Sequence, residues 1–170
     1  TYQIGNLPIL AKYINQKVVC DFRLQDVELG GQGAPLVPVG EEYLFSEYNT
    51  LINLGGFANI TKRIKNNLIA YDICPINIVF NYLSREMELQ YDDKGHIAST
   101  GKLNQDLYNR LQTLNYYKLD PPKSLGIEWV YDQIHSILKN FNKVSIKDLM
   151  NTFSNHFAFQ IANNIGEQDQ

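Results

Sequence analysis

The stretch that most limits the fold is Leu51-Ile-Asn-Leu-Gly-Gly-Phe-Ala-Asn-Ile-Thr61. An apolar run, a glycine pair and a second β-prone run predict two antiparallel strands joined by a tight turn, because glycine supplies the positive φ angles such turns need. Leu68-Ile-Ala-Tyr-Asp72 follows after Lys65-Asn-Asn67 and predicts a third strand. Strands over 50–54, 57–64 and 68–72 then form an antiparallel meander. The third strand ends on one carboxylate, Asp72, and Pro75 is placed to open a helix over 75–89. Backbone N–H groups in a glycine turn can face an anion. A strand that carries a single Asp to its carboxyl end can set a base at a sheet edge. Together these features point to phosphoryl transfer. The plainer alternative is a hairpin followed by an Asp that caps a helix.

The rest of the chain supplies helices to cover such a sheet. Leu103, Leu107, Leu111 and Leu114 mark one face of a helix over 101–114; Trp129, Ile134 and Leu138 mark one over 125–141. Leu149, Phe153, Phe157 and Ile161 step by four along a helix over 146–165, with Ser145 as its cap. Ahead of the meander come a strand over 2–6, a helix over 8–15, a strand over 17–23 and a short helix over 39–48. Gly30, Gly31, Gly33, Pro35 and Pro38 make 24–38 a loop of unusual backbone geometry. That loop either approaches a ligand or only connects two lobes. Pro121-Pro122-Lys123-Ser124 has two readings: Ser124 caps the following helix, or Lys123 and Ser124 border a cleft. Asp92-Asp93-Lys-Gly95 lacks the alternation and closing Glu of a calcium loop and reads as a turn, with His96 facing solvent.

Composition narrows the function. The 170 residues are 44% hydrophobic and 19% charged, enough for a folded core. A net charge of −3 without a basic block argues against a nucleic-acid surface. No apolar run approaches the roughly 18–20 residues that cross a membrane. Cys20 and Cys74 lie far apart in apolar runs and read most simply as buried reduced thiols, with a single disulfide as the alternative. His135 and His156 have no spacing partner, so no metal site is expected.

Four blocks, Asp21-Phe-Arg23, Gly30 to Pro38, Asn53-Leu-Gly-Gly-Phe-Ala-Asn-Ile-Thr61 and Tyr71-Asp72 through Asn77, stand in an order that resembles the anhydro-N-acetylmuramic acid kinases. The resemblance runs over essentially the whole chain. It implies an α/β fold: part of a two-lobed actin-like ATPase/sugar kinase, with residues 1–26 ending the N-terminal lobe and 27–170 beginning the C-terminal lobe. The implied activity hydrolyses the anhydro bridge of 1,6-anhydro-N-acetylmuramic acid and phosphorylates O6 with ATP and Mg²⁺, in cell-wall recycling. It implies Asp72 as catalytic base and Asp21, Arg23, Gln32 and Asn77 as substrate-binding residues. Gly55, Gly56 and Asn59 would border the ATP phosphates; no protein-held metal is implied. The implied partners are an amino sugar and ATP, with neither nucleic acid nor membrane, in a cytoplasmic protein; a homodimer is left open. The family's Asp-x-Gly-Pro-Gly-Asn reads Asp72-Ile-Cys-Pro-Ile-Asn77 here, and Asn81 stands where the family usually has Asp. A paralogous kinase for another sugar, or a non-catalytic sugar- or nucleotide-binding homologue, are the alternatives. Both ends read as cut, with the family's two further glycine-rich phosphate and nucleotide loops expected outside Thr1–Gln170, so this piece alone is expected to be inactive.

Overall fold

The computed structural model describes residues 9–31, 33–65 and 67–165. The chain forms two compact units, Thr1–Leu36 and Val37–Gln170. In the first, helix α1 (Ile9–Ile14) and helix α2 (Phe22–Glu28) are joined by an irregular stretch. The expected strand over 17–23 is absent. Val18 and Val19 have the right residue type, but among the described residues no strand pairs with them, and Phe22 and Arg23 already belong to α2. The loop expected from residue 24 therefore starts only after Glu28. Cys20 is exposed and not buried; Cys74 is buried, and both thiols are free. The strand expected over 2–6 lies outside the described residues.

The second unit is mixed α/β. After helix α3 (Pro38–Leu44), strands β1 (Thr50–Leu54), β2 (Phe57–Ile64) and β3 (Asn67–Pro75) form an antiparallel sheet in the order β1-β2-β3. β3 runs three residues further than the sequence suggested, so Pro75 ends a strand and does not open a helix. Pairing proceeds from Ile64 opposite Asn67 to Asn59 opposite Asp72, then resumes with Ala58 opposite Cys74. Ile73 is therefore an extra residue, a β-bulge, and the alternation of faces slips there. That slip lets Tyr71, Asp72, Ile73 and Cys74 all be buried in succession. Ala58, Ile60, Tyr71, Ile73, Cys74 and Ile76 make one apolar cluster, against which Phe157 and Ile161 pack.

Helix α4 (Asn77–Arg85) follows the sheet, then α5 (His96–Ser99) and α6 (Gln105–Gln112). Next come α7 (Ile127–Trp129), a π turn (Val130–His135) and α8 (Ser136–Lys139) without a break. Helix α9 (Ile146–Ile165) closes the described chain. The sequence placed the 77–85 and 105–112 helices correctly but made each too long. Leu103 precedes the α6 cap at Asn104 and is exposed. α9 contacts α4, α5, α6 and β3. Ser145 caps it as expected: its hydroxyl accepts from the Asp148 N–H and donates to the Asp148 carboxylate. The α5–α6 connection is tied to the start of α9, where the Lys102 N–H donates to Asp148 Oδ1 and the Asn104 N–H to Thr152 Oγ1. A second apolar cluster joins Val79, Leu83, Leu107, Leu111, Val130, Ile134, Met150 and Phe153. No described helix is long and apolar enough to cross a membrane.

His156 on α9 is 1% exposed, beside the rings of Tyr117, Phe153 and Tyr108. Among the described residues neither ring nitrogen has a hydrogen-bond partner. Burial lowers its pKa from 6.5 to about 4. As pH falls through 6.5 the unfolded chain takes up a proton that the folded chain refuses until about 4. The contribution is therefore complete above pH 6.5 and is lost towards pH 4, by on the order of 3 kcal/mol. Urea unfolding at several pH values should show this loss in the parent and a flatter profile in His156→Phe. Parallel profiles would refute it.

Candidate functional site

Asp72 is the one buried acidic residue among those described, 5% exposed. Its place follows from the bulge, which lets a carboxylate enter a run of otherwise apolar buried residues. A buried carboxylate is costly unless hydrogen bonds replace its water. Here Oδ2 accepts from the Leu125 N–H at 2.8 Å and from the Ser124 hydroxyl at 3.2 Å. The backbone is tied down as well. The Asp72 N–H donates to the Lys123 carbonyl at 3.0 Å, and the Tyr116 hydroxyl donates to the Asp72 carbonyl at 2.6 Å. Burial first, and then the nearby charge of Asp72, push the Tyr116 phenol far up, so it serves as a donor.

Lys123 anchors the segment that carries these donors. It is 9% exposed, and its ammonium donates to the Leu119 carbonyl at 2.9 Å and the Tyr116 carbonyl at 3.4 Å. The same ammonium lies 5.0 Å from the Tyr116 ring centroid and 5.9 Å from that of Tyr71. Burial lowers its pKa, opposed by Asp120. The expectation that Ser124 caps a helix is overturned: the following helix is preceded by Gly126 as its cap residue, and the hydroxyl turns to Asp72.

The glycine turn is built against the start of α4. The Gly56 carbonyl accepts from the N–H groups of Ile76 and Ile78, and the Gly55 carbonyl from the N–H and side-chain amide of Asn77. These bonds satisfy helix-start donors that would otherwise lack partners. A Cβ at Gly56 would stand 3.2 Å from Ile78 Cγ1, so a larger residue there would require the Ile78 side chain to shift by a few tenths of an ångström. The Gly55 N–H is committed to the Phe57 carbonyl. Asn53, Asn59 and Asp72 lie opposite one another in register and so share one sheet face. The structure thus gathers Gly55, Gly56 and Asn77 at one end of the sheet, and sets Asn59 beside Asp72.

Asn77 and Asn81 border a cavity of about 620 Å³ between α4, α5 and α9. Phe80 and Phe157 give it aromatic wall, and Asn151 and Ser154 give it polar groups. A second cavity of about 340 Å³ brings Gly56, Asn77 and Asn81 together with Tyr82 and His135. Those two rings stack at 3.9 Å. Aromatic walls with a few converging polar groups suit a small polar ligand. Asp72 lines neither cavity.

Cys74 and Ile76 are both buried in the apolar cluster behind the sheet, and Ile76 sits at φ −123°, outside the left-handed region that would call for glycine. Burial pushes the Cys74 thiol up to about 12, so it stays protonated and inert.

Asp21 and Arg23 belong to the first unit. Asp21 is the residue before α2, at φ 65°. Arg23 donates to the Gly33 carbonyl at 2.6 Å, and the Gly33 N–H donates to Asp26 Oδ2 at 2.7 Å. The glycine loop is thereby folded back on α2, and Gly33 at φ +71° is hemmed in by Val27 and Arg23. Gln32 lies outside the described residues. The described residues contain no group of three His, Cys, Asp or Glu able to hold a metal ion.

Sequence reasoning weighed Ser124 only loosely and did not reach Leu125 or Tyr116. The one available signal was Pro-Pro-Lys-Ser, two prolines and a lysine where a plain helix start needs neither.

The family model described as "Anhydro-N-acetylmuramic acid kinase" matches residues 1–170. Similar curated proteins carry the same name. The one from Clostridioides difficile (strain 630) is 36% identical over 89% of this chain and 42% of its own length. The one from Bacillus cereus (strain 03BB102) is 34% identical over 89% and 42%. The one from Shewanella denitrificans is 33% identical over 98% and 47%. The chain thus spans less than half the length of these curated relatives.

Proposed function

This chain belongs to the anhydro-N-acetylmuramic acid kinase family, and from that premise we propose that it forms part of an ATP-dependent kinase that opens the anhydro bridge of 1,6-anhydro-N-acetylmuramic acid and phosphorylates the freed O6. The observation that carries the reading is the buried carboxylate of Asp72, fixed by Ser124 and Leu125 on the sheet whose β1–β2 turn is the glycine pair. Asp72 takes a proton from water as the water oxygen attacks the anomeric carbon. The bond from that carbon to O6 breaks, and O6 attacks the γ-phosphorus of ATP as the bond from that phosphorus to the β–γ bridging oxygen breaks and ADP leaves. A positioned carboxylate suits the first half, and bridge opening generates the nucleophile for the second in place.

In this reading Gly55, Gly56 and Asn59 border the phosphates of ATP. Since the Gly55 N–H is committed to Phe57, the contact falls to Gly56 and Asn59. Asn77, Asp21, Arg23 and Gln32 attend the sugar. A magnesium ion would arrive with the nucleotide and be held chiefly by its phosphates.

The test is ADP release by the complete gene product, with the anhydro sugar beside a panel of other anhydro and reducing amino sugars. Release with 1,6-anhydro-N-acetylmuramic acid is expected. Release with a different sugar alone would favour a paralogue, the reading motivated by buried Cys74 and Ile76 in place of glycines. Binding of sugar or ATP without any turnover would overturn the kinase in favour of a binding-only homologue.

A further inference from the structure

We infer that Ser124, together with the Leu125 N–H, is the device that orients the Asp72 carboxylate for proton abstraction, and that Ser124 is a positioning residue of the reaction. The inference rests on the reading of Asp72 as the base. Among the described residues, every hydrogen bond to this carboxylate falls on Oδ2. Oδ1 is thereby left as the oxygen that takes the proton. Two donors on one oxygen fix the plane of the carboxyl group, which a single donor would leave free to turn about it. Such fixing matters because proton transfer needs a heavy-atom approach of about 2.6–3.2 Å along the right direction.

The donors are themselves held in register with the acid. Asp72 and the 123–125 segment are 52 residues apart in sequence yet joined by side-chain and backbone bonds at once. The Asp72 N–H fixes the carbonyl of Lys123, the residue immediately before Ser124. The Lys123 ammonium staples the same segment to Leu119 and Tyr116, and the Tyr116 hydroxyl returns to the Asp72 carbonyl. The closed circuit sets the distance from donor to acid from both sides. Ser124 itself is exposed and fills no core space, so its hydroxyl can be removed without making a cavity.

A merely structural hydroxyl would show in stability or sugar affinity; a positioning one shows in turnover. The experiment compares Ser124→Ala and Ser124→Thr with the parent in the complete gene product, with Asp72→Asn as control. Ser124→Ala should lower kcat about tenfold, with the KM for sugar and the melting temperature little changed. Ser124→Thr keeps a hydroxyl on the same carbon and should restore kcat to within about threefold of the parent. An inactive Asp72→Asn beside a Ser124→Ala of parental kcat would overturn the inference and leave the base in place. A Ser124→Ala whose loss lies in KM or melting temperature alone would reduce Ser124 to a structural role and also overturn it. A fully active Asp72→Asn would remove the base, and the positioning role with it.

Discussion

Asp72→Asn should reduce sugar-dependent ADP release by the complete gene product about a hundred- to ten-thousandfold, the range over which a positioned general base acts. The substitution keeps the shape of the side chain. Its amide oxygen can still accept from Ser124 and the Leu125 N–H, the two donors that hold Oδ2 in the parent. The backbone bonds to Lys123 and Tyr116 are unaffected by the change. What is lost is the capacity to take up a proton, since an amide is not a base at neutral pH. ATP binding and the melting temperature should therefore stay close to the parent while turnover collapses. Turnover within about tenfold of the parent would remove Asp72 from the base's role, because no ordinary general base contributes so little.

Phe153→Ala should cost the second unit about 3–5 kcal/mol of stability, the span seen for truncating buried aromatics. Phe153 is 1% exposed, on the helix that meets α4, α5, α6 and β3. Its ring packs in the cluster of Leu107, Leu111, Ile134 and Met150, and stands 6.3 Å from the His156 ring. Its neighbours come from several helices, so no single side chain can turn inward to fill the space. Part of the cost is lost transfer free energy and part is the void itself. For a domain of this size the melting temperature should drop by on the order of 10 °C. Phe153→Leu, which keeps most of the volume, should lose less than half as much. Equal losses for the two variants would show that the site collapses around any smaller residue.

The hairpin was legible because it is a local feature. Apolar runs on each side of Gly55–Gly56 dictate pairing that needs only neighbours in sequence, and the strands of β1 and β2 fall where the pattern put them. Helix α9 was legible for the same reason: Leu149, Phe153, Phe157 and Ile161 repeat at the helical period behind a Ser145 cap. Val18 and Val19 misled because β-branched residues state a preference, while a strand needs a partner that sequence cannot supply. Cys20 misled likewise, since an apolar run is buried only if something covers it.

Asp72 could be singled out from the sequence, but its surroundings could not. The β-bulge at Ile73 depends on how β2 and β3 pair, and the carboxylate's donors come from a segment 52 residues later. Ser124 looked like a helix cap because sequence reports the helix next door and is silent about the strand across the fold.

Sequence alone determined the meander, the helices that cover it, the family and the acid to watch. The meander and the helices follow from periodicity, which acts over a few residues, and the family from the order of motifs along the chain. The positive φ expected of the hairpin glycines is not found at Gly55 or Gly56. Tertiary structure alone decided that Asp72 is buried, that its Oδ2 is held by Ser124 and Leu125, and that the glycine turn spends its carbonyls on α4. A hydrogen bond is made by whichever donor arrives within about 3 Å, and the folded path of the whole chain sets which donor that is.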